Sequence, residues 1–483
     1  MYKFGSILIG RNELSDATLL LNKANRHGLI TGASGSGKTI TLKVLAEGFS
    51  EAGVPVFLSD VKGDLAGTIK EGTKNENITS RLNSLNIDGF ETKKYPVTFL
   101  DVYGEMGCNI RTTIKSIGAK LLAKMLDLSD TQEGVLSIAF KIAFDEGFDL
   151  IDLNDLKALL TYIGEKRKEY SLTYGNVTLQ SIGSIQRNIL SLQEEGGDFF
   201  FGLPAFNIKD LIHFDVDNGY GNINILDAQK LFQKPTLYAT FMLWMLTSIY
   251  NEFPEVGDLD KPKLVLFFDE AHLMFESMPE HLIKQITQIV KLIRSKGIGL
   301  YFISQSPKDI PEEILAQLGN RIQHVLRSYT PTDEKVIKAA ASSFRKNPNF
   351  DTVDAISTLK TGEALISLQN EDGEPTIVDR FMILPPQSMM GSIDDYERSN
   401  YIKTTWLYGK YEEKLKYTST YDILMEKLKN NKEENTQEKK EIKSKKTSTK
   451  KSTMEKATER MITNTASSFG RKLGNSLFKN LFK

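Results

Sequence analysis

The sequence predicts an α/β protein whose core is a mostly parallel β-sheet. Several short apolar runs end in a polar or charged residue, as buried parallel strands do at the edge of a sheet. Amphipathic helical stretches follow several of these runs. Between the first core run and its helix lies a glycine-rich loop, Gly32-Ala33-Ser34-Gly35-Ser36-Gly37-Lys38-Thr39. A strand, a loop of this kind and a helix together form a unit typical of α/β sheets.

The glycine-rich loop fits G-x-x-x-x-G-K-[ST] at every fixed position. In such loops backbone N–H groups surround a phosphate, the lysine adds charge at the β and γ positions, and the hydroxyl can hold Mg²⁺. We therefore expect residues 32–39 to bind a nucleotide, with Lys38 on the phosphates and Thr39 on the metal. A simple turn is the alternative, and the apolar run before the loop and the helix after it argue against that alternative.

Charge is balanced over the whole chain but not along it. The 483 residues contain 61 Lys and Arg against 62 Asp and Glu, so the chain is not a polycationic nucleic-acid binder. Residues 431–483 hold 14 basic and 6 acidic residues, a net +8, which leaves −9 for residues 1–430. Cys108 is the single cysteine and excludes an internal disulfide. With no apolar run long enough to span a bilayer and no signal-peptide pattern, we expect a cytoplasmic protein.

The first part of the core is expected at residues 1–107. Residues 5–9 and 18–21 read as a small hairpin, either a lid or an edge ribbon. The run Val54–Asp60 reads as a strand ending in a carboxylate. Asp60 lies either near the phosphate site, because ligands gather at the carboxyl ends of parallel strands, or in an ordinary acidic turn. Residues 108–250 then become helical in pattern and predict a helical insertion.

The second part of the core, residues 251–395, opens with the apolar run Lys263–Phe268, followed by Asp269 and Glu270. A buried parallel strand explains the run but not the two acids. Asp269 is placed to orient the hydration shell of Mg²⁺, and Glu270 to polarise the attacking water. After the glycine-rich loop in the same chain, this pair predicts a hydrolytic site.

An amphipathic helix over residues 282–294 and another apolar strand over 297–304 follow that pair. Gln305 stands at the tip of this strand. Its amide can hydrogen-bond the γ-phosphate or the attacking water, or it can simply satisfy the end of the strand. Residues 363–368 and 375–383 predict a final hairpin.

Beyond the core we expect a helical extension at 396–430 and a basic tail at 431–483. The tail begins as a Lys-, Glu-, Ser- and Thr-rich linker, which indicates disorder, and ends in a pattern typical of an amphipathic helix. That helix could bind an anionic membrane or the groove of a protein partner. A solvated tail without a partner is the alternative.

Six longer motifs resemble bacterial ATPases that contain a HerA-like helicase C-terminal domain, in the HerA/FtsK branch of P-loop NTPases. The motifs are Asn25-Arg26-His27-Gly28-Leu29-Ile30, Asp60-Val61-Lys62-Gly63-Asp64-Leu65, Asp130-Thr131-Gln132-Glu133-Gly134, Asp269-Glu270-Ala271-His272, Gly319-Asn320-Arg321-Ile322-Gln323-His324 and Leu384-Pro385-Pro386-Gln387-Ser388. The resemblance implies a RecA-like P-loop core, ATP with Mg²⁺ as cofactors, and a homo-hexameric ring that moves DNA. A nucleotide-switched regulatory ATPase that remodels a protein partner is the alternative function.

In ring ATPases of this kind, an arginine from a neighbouring subunit completes the site. Arg294 ends the helix after Asp269 and Glu270, where HerA/FtsK-like motors resemble one another in carrying an arginine, and it is our candidate. Arg321 and Arg327 are the reserves. The alternative for Arg294 is a cation that interacts with the dipole of its own helix.

Overall fold

The computed structural model describes residues 1–276, 278–415 and 417–430. The chain forms two compact units, Met1–Tyr417 and the part from Thr418 onward. In the second unit the described residues form a helix at 420–430. The basic linker and amphipathic helix predicted for 431–483 lie outside the described residues.

The first unit is built on one sheet, which has thirteen strands among the described residues. They are β1 Tyr2–Lys3, β2 Ser6–Arg11, β3 Asp16–Leu20, β4 Gly28–Thr31, β5 Val56–Asp60, β6 Val97–Asp101, β7 Cys108–Asn109, β8 Ile223–Asp227, β9 Leu264–Phe268, β10 Ile298–Ser304, β11 Asn320–Gln323, β12 Glu363–Ser367 and β13 Asp379–Ile383.

Most of the sheet is parallel, so the predicted α/β fold with a mostly parallel sheet is confirmed. The parallel part has the order β11-β4-β10-β9-β5-β8-β6-β7. An antiparallel part adjoins β11, where β12 and β13 form the expected hairpin and β13 pairs with β2. The N-terminal hairpin is therefore an edge ribbon beside the C-terminal hairpin.

Helices cover the sheet and form a separate layer of their own. They are α1 Lys38–Glu51, α2 Glu76–Ser84, α3 Ile114–Met125, α4 Asp130–Glu146, α5 Leu153–Glu165, α6 Arg167–Tyr174, α7 Leu179–Glu194, α8 Gly197–Phe200, α9 Pro235–Glu252, α10 Ala271–Glu276, α11 Glu280–Ile293, α12 Glu312–Leu315, α13 Pro331–Ser342, α14 Thr352–Thr358 and α15 Asp395–Ile402. Helices α3, α4, α5 and α7 pack on one another.

The helical insertion expected at 108–250 needs a correction, because this region also supplies two strands of the sheet. β7 extends the sheet beyond β6, and β8 lies between β5 and β6. Polar residues obscured β8 in the sequence: Asn222 precedes the strand and Asn224 lies within it. Both are buried. The amide of Asn224 donates to the carbonyls of Val56 (3.0 Å) and Leu211 (2.9 Å), which satisfies a polar residue inside a core strand.

The central strands are apolar because both faces of the sheet are covered. All five residues of β9 and all seven of β10 are buried. Since β4, β10, β9 and β5 are parallel neighbours, their last residues meet along one side of the sheet, which we call the carboxyl edge. Ligands of open α/β sheets bind at this side.

Candidate nucleotide site

The glycine-rich loop connects β4 to α1 at the carboxyl edge. Gly35 and Gly37 have φ of 72° and 114°, in the left-handed region that favours glycine. A Cβ on Gly37 would lie 3.3 Å from the backbone of Gly362, so the loop also packs closely on the turn before β12. Helix α1 begins at Lys38, and the first N–H groups of a helix lack intrahelical partners. This geometry suits a phosphate.

Lys38 is buried, and its ammonium group is held by the loop itself. Nζ donates to the carbonyls of Gly32 (2.7 Å) and Ala33 (3.2 Å). Burial lowers the pKa of Lys38, while the nearby carboxylate of Glu270 opposes this change. The hydroxyl of Ser36 is buried without a partner among the described residues, and Thr39 is half-buried in the first turn of α1. The loop thus supplies the cation of Lys38 and the hydroxyls of Ser36 and Thr39.

Asp269 and Glu270 follow β9, which lies between β5 and β10. One carboxylate oxygen of Asp269, Oδ1, accepts the N–H of Glu270 at 2.9 Å, whereas Oδ2 is buried without a hydrogen-bond partner in the described residues. Burial, together with the charge of Glu270, raises the pKa of Asp269 to about 7. A buried carboxylate oxygen without a partner fits the hydration shell of Mg²⁺.

No group of three or more His, Cys, Asp or Glu side chains that could hold a metal occurs among the described residues. Magnesium usually keeps several waters and binds one or two side chains together with substrate phosphates. Thr39 and Asp269 are therefore a sufficient donor set beside a nucleotide, and the site fits the expected ion.

Glu270 is enclosed by polar groups. One of its oxygens is in direct contact with Nζ of Lys62, and the other lies 3.5 Å from Nε2 of Gln305 and 3.4 Å from Nδ1 of His272. Burial alone would raise the pKa of Glu270, but the hydrogen bond from Lys62 and the charges of Lys62 and Lys38 hold it below its usual value. The structure thus places Gln305 beside Glu270, with Lys38 near enough to lower the pKa of that carboxyl.

Lys62 is the residue that the sequence reasoning missed, although it lies in one of the six motifs. It follows β5, the neighbour of β9, in a turn that Asp60 organises. The Asp60 carboxylate accepts the N–H groups of Lys62 (3.2 Å), Gly63 (2.7 Å) and Leu65 (3.0 Å). Asp60 therefore caps the turn that carries Lys62 to the site. A lysine two residues after a strand-ending acid, at the carboxyl edge, was the available signal.

The candidate arginine Arg294 lies away from this site. It is exposed and directly follows α11, whose 14 residues span about 21 Å at roughly 1.5 Å per residue. Arg294 precedes β10, and its charge acts on His27, which precedes β4. Since these strands are parallel, Arg294 lies at the edge of the sheet where they begin. The P-loop of its own chain, residues 32–39, lies at the opposite, carboxyl edge.

The two reserve arginines differ from each other. Arg321 donates to the carbonyls of Leu318 (3.1 Å), Leu315 (3.1 Å) and Ser343 (3.4 Å), so its guanidinium is used within its own chain. Arg327 is exposed shortly after β11.

Several motif residues form hydrogen bonds between the strands and helices that carry the site. His324 bonds Thr41 of α1 (2.9 Å) and the carbonyl of Glu363 (2.9 Å). His27 accepts the N–H of Leu300 (3.1 Å) at Nδ1, so its Nε2 donates to the carbonyl of Val290 (2.9 Å). Burial lowers the pKa of each histidine to about 4. Both histidines are therefore neutral, and their role is structural.

Further hydrogen bonds join α1 to the segment after β13. Glu47 is fully buried in α1 and accepts the N–H groups of Gln387 (2.7 Å) and Ser388 (3.1 Å), as well as the Ser388 hydroxyl. Burial raises the pKa of Glu47. Lys43, one turn earlier, donates to Thr68 Oγ1 (3.0 Å) and to the carbonyl of Met389 (2.7 Å). The motif at 384–388 therefore anchors the helix that carries the P-loop.

A sequence profile described as Helicase HerA-like C-terminal matches residues 7–482. The chain belongs to this family. Two curated relatives are named DNA double-strand break repair helicase HerA. The one from Sulfurisphaera tokodaii is 25% identical over 384 residues, covering 76% of this chain and 67% of the relative. The one from Sulfolobus acidocaldarius is 28% identical over 392 residues, covering 77% and 68%. These relatives are archaeal, whereas the sequence resemblance had pointed to bacterial ATPases.

Two solved structures share the fold of this HerA-like chain. The plasmid coupling protein TrwB in complex with a non-hydrolysable GTP analogue aligns with a TM-score of 0.52 at 14% identity, over 80% of this chain and 90% of TrwB. VirB4 of Thermoanaerobacter pseudethanolicus aligns with a TM-score of 0.50 at 17% identity, over 79% and 97%. The RecA-like P-loop core is thus confirmed, and the HerA-like chain is an ATPase.

Among the described residues, no helix is both long and apolar enough to cross a membrane.

Proposed function

We propose that this HerA-like ATPase is a subunit of a homo-hexameric ring that hydrolyses ATP to move DNA. The observation that carries the proposal is the meeting of the P-loop, Asp269, Glu270 and Gln305 at one carboxyl edge, in a chain of the HerA-like family. The names of the two HerA relatives support DNA as the polymer.

In the proposed reaction Lys38 leaves the carbonyls of its own loop and binds the β- and γ-phosphates. Thr39 and Asp269 would hold Mg²⁺, which when bound supplies positive charge to the phosphate oxygens. Glu270 accepts a proton from the attacking water, and its lowered pKa keeps it ionised for that task. Gln305 donates to Glu270, and its amide is proposed to hydrogen-bond the attacking water or the γ-phosphate beside that carboxylate. P-loop catalysis depends mostly on such positioning and on charge.

Arg294 is proposed to act on a neighbouring subunit. Its position at the opposite side of the sheet from its own P-loop, and its exposure, support a role in trans rather than in cis. Arg294→Ala should assemble and bind ATP normally yet hydrolyse it poorly. Mixing it with Glu270→Gln should restore some activity, because some interfaces then pair an intact arginine with an intact glutamate. Full activity of Arg294→Ala alone would end this assignment.

The DNA proposal is tested by the steady-state ATPase rate of the full chain with and without duplex or single-stranded DNA. A motor should be stimulated well above its basal rate, whereas a flat response to both kinds of DNA would favour the regulatory ATPase instead. Imaging the protein with a non-hydrolysable nucleotide and DNA tests the ring directly. A ring of six with density through its centre is the expected result.

The tail at 431–483 is proposed as an accessory binding segment for anionic lipid, DNA or a protein partner, because its charge of +8 contrasts with −9 for the rest of the chain. Removing it should leave the basal ATPase rate intact and reduce co-sedimentation with anionic vesicles or DNA at low salt. Unchanged co-sedimentation would contradict this role.

A further inference from the structure

Lys62 forms an unusual ion pair for a residue of a surface turn. Its own side chain is 47% exposed, whereas the Glu270 side chain it contacts is only 6% exposed. The turn is rigid at its base, because the Asp60 carboxylate accepts three of its N–H groups. Lys62 therefore reaches from solvent into the space beside the P-loop.

The two cations of the site have comparable arrangements. Lys38 donates to two carbonyls of the P-loop, and Lys62 binds the carboxylate of Glu270. Those carbonyls are acceptors for the ammonium group of Lys38, as phosphate oxygens would be. The charge of Lys62 lowers the pKa of Lys38, so the two ammonium groups lie close to each other beside the region proposed for the γ-phosphate.

A γ-phosphate entering this region meets two carboxylates, Asp269 and Glu270. The ammonium group of Lys62 is half-exposed and already contacts one of these carboxylates, so together with Lys38 and the metal it is a candidate to balance the phosphate charge. A lysine is a flexible point charge with three donors. It can turn from a carboxylate oxygen to a phosphate oxygen without any movement of the backbone.

We propose that Lys62 is a positioning residue. Its ammonium group binds the Glu270 carboxylate when the γ-phosphate is absent and moves to the γ-phosphate when ATP binds. Glu270 is thereby released to accept a proton only when a hydrolysable nucleotide is present. The inference rests on the role proposed above for Glu270. It makes Lys62 a third phosphate-facing element beside Lys38 and the metal.

The exchange is tested by displacement of a fluorescent nucleotide from the full chain, which gives dissociation constants for ADP and for a non-hydrolysable ATP analogue. Lys62→Met should weaken binding of the analogue about tenfold and leave ADP within about twofold, since one charge-assisted contact to the γ-phosphate is lost. Lys62→Arg should keep the preference for the analogue. Lys115→Met is the matched control, because Lys115 pairs with Asp149 on the exposed surface of the helical layer.

A double-mutant cycle tests whether Lys62 leaves Glu270 when it binds the γ-phosphate or contacts both groups at once. In the Glu270→Gln background Lys62 gives up a weaker partner before it binds the phosphate. Lys62→Met should therefore reduce the preference for the analogue by a larger factor than in the chain with Glu270, by about threefold or more.

If Lys62→Met weakened the binding of ADP and of the analogue equally, the proposal would be overturned, since Lys62 would then only stabilise the structure of its turn. An unchanged preference in both backgrounds would overturn it as well. The role of Glu270 is judged separately by single-turnover hydrolysis. A near-normal rate in Glu270→Gln would remove Glu270 as the base, whereas the binding constants test Lys62 on their own.

Discussion

The carboxyl edge and the core beneath it use buried polar groups in opposite ways. At the edge, Oδ2 of Asp269 and the hydroxyl of Ser36 have no partner in the described residues. In the core, both ring nitrogens of His27 and His324 are bonded, and Glu47 accepts three donors. An unsatisfied buried polar group is costly. For these named residues, the contrast separates groups that are available to a ligand from groups that stabilise the fold.

The sharpest test of this contrast is substitution at the edge. Lys38→Ala should lose nucleotide binding, because the phosphates lose their cation. Glu270→Gln should bind ATP yet hydrolyse it about 10²–10³-fold more slowly, because the general base is gone. Dissociation constants and single-turnover rates measure the two effects. Equal loss of binding in both variants would make both residues structural.

Substitution in the core should reduce stability instead. Glu47→Ala removes the acceptor for the segment at 387–388 and deprives the buried Lys43 of the carboxylate that stabilises its charge most. We expect a loss of about 3 kcal/mol in the free energy of unfolding, as when one member of a buried ionic group is removed. Chemical denaturation of the full chain measures it. The control Glu280→Ala breaks only an exposed pair with Lys284 and should change nothing measurable. A stable Glu47→Ala protein would contradict the structural role.

The buried histidines predict a pH dependence of stability. Their pKa is about 4 in the fold against 6.5 unperturbed, so the unfolded chain binds protons first as the pH falls. The stability they contribute is complete above about pH 6.5 and is lost toward pH 4. From pH 7 to pH 5 each histidine should cost about 2 kcal/mol. His27→Gln should lose less stability over this range than the unmodified chain, and an identical decline would exclude His27 as a cause.

The smallest effects on stability are expected at the arginines. Arg321→Ala removes three hydrogen bonds to carbonyls and should reduce stability by about 1–2 kcal/mol, and mixing with Glu270→Gln should not restore its hydrolysis. Arg294→Ala should melt at the temperature of the unmodified chain. The comparison fails if Arg321→Ala melts normally and is rescued by mixing, since Arg321 would then be the residue acting in trans.

Sequence reasoning was most successful where one residue type serves one chemistry. The P-loop spacing, the acids after β9 and Gln305 after β10 all follow from strand ends at a parallel edge, and the structure brings them together. Sequence reasoning did not identify Lys62, because the partner of this lysine depends on which strands are neighbours in the sheet. β5 lies beside β9 only in the folded sheet.

The same limit explains the missed strand β8. Its five residues include Asn224, whose burial is compensated by two backbone carbonyls that come from β5 and from Leu211. Such compensation depends on distant parts of the chain, so local pattern gave no sign of it. Local pattern likewise does not settle which arginine is the one proposed to act in trans, because its partner would belong to another copy of the chain.

The position of β4 also has a consequence for synthesis of the chain. β4 pairs with β10 and β11, so Thr31 meets Ser304 and Gln323. The ribosome makes β4 and the P-loop long before β10 and β11, so the strand that carries the loop has no sheet neighbour until β10 emerges. A nascent chain stalled before β10 would hold the complete phosphate-binding sequence without the strand pairing that positions it. ATP binding thus reports a late step of folding, although its sequence comes early.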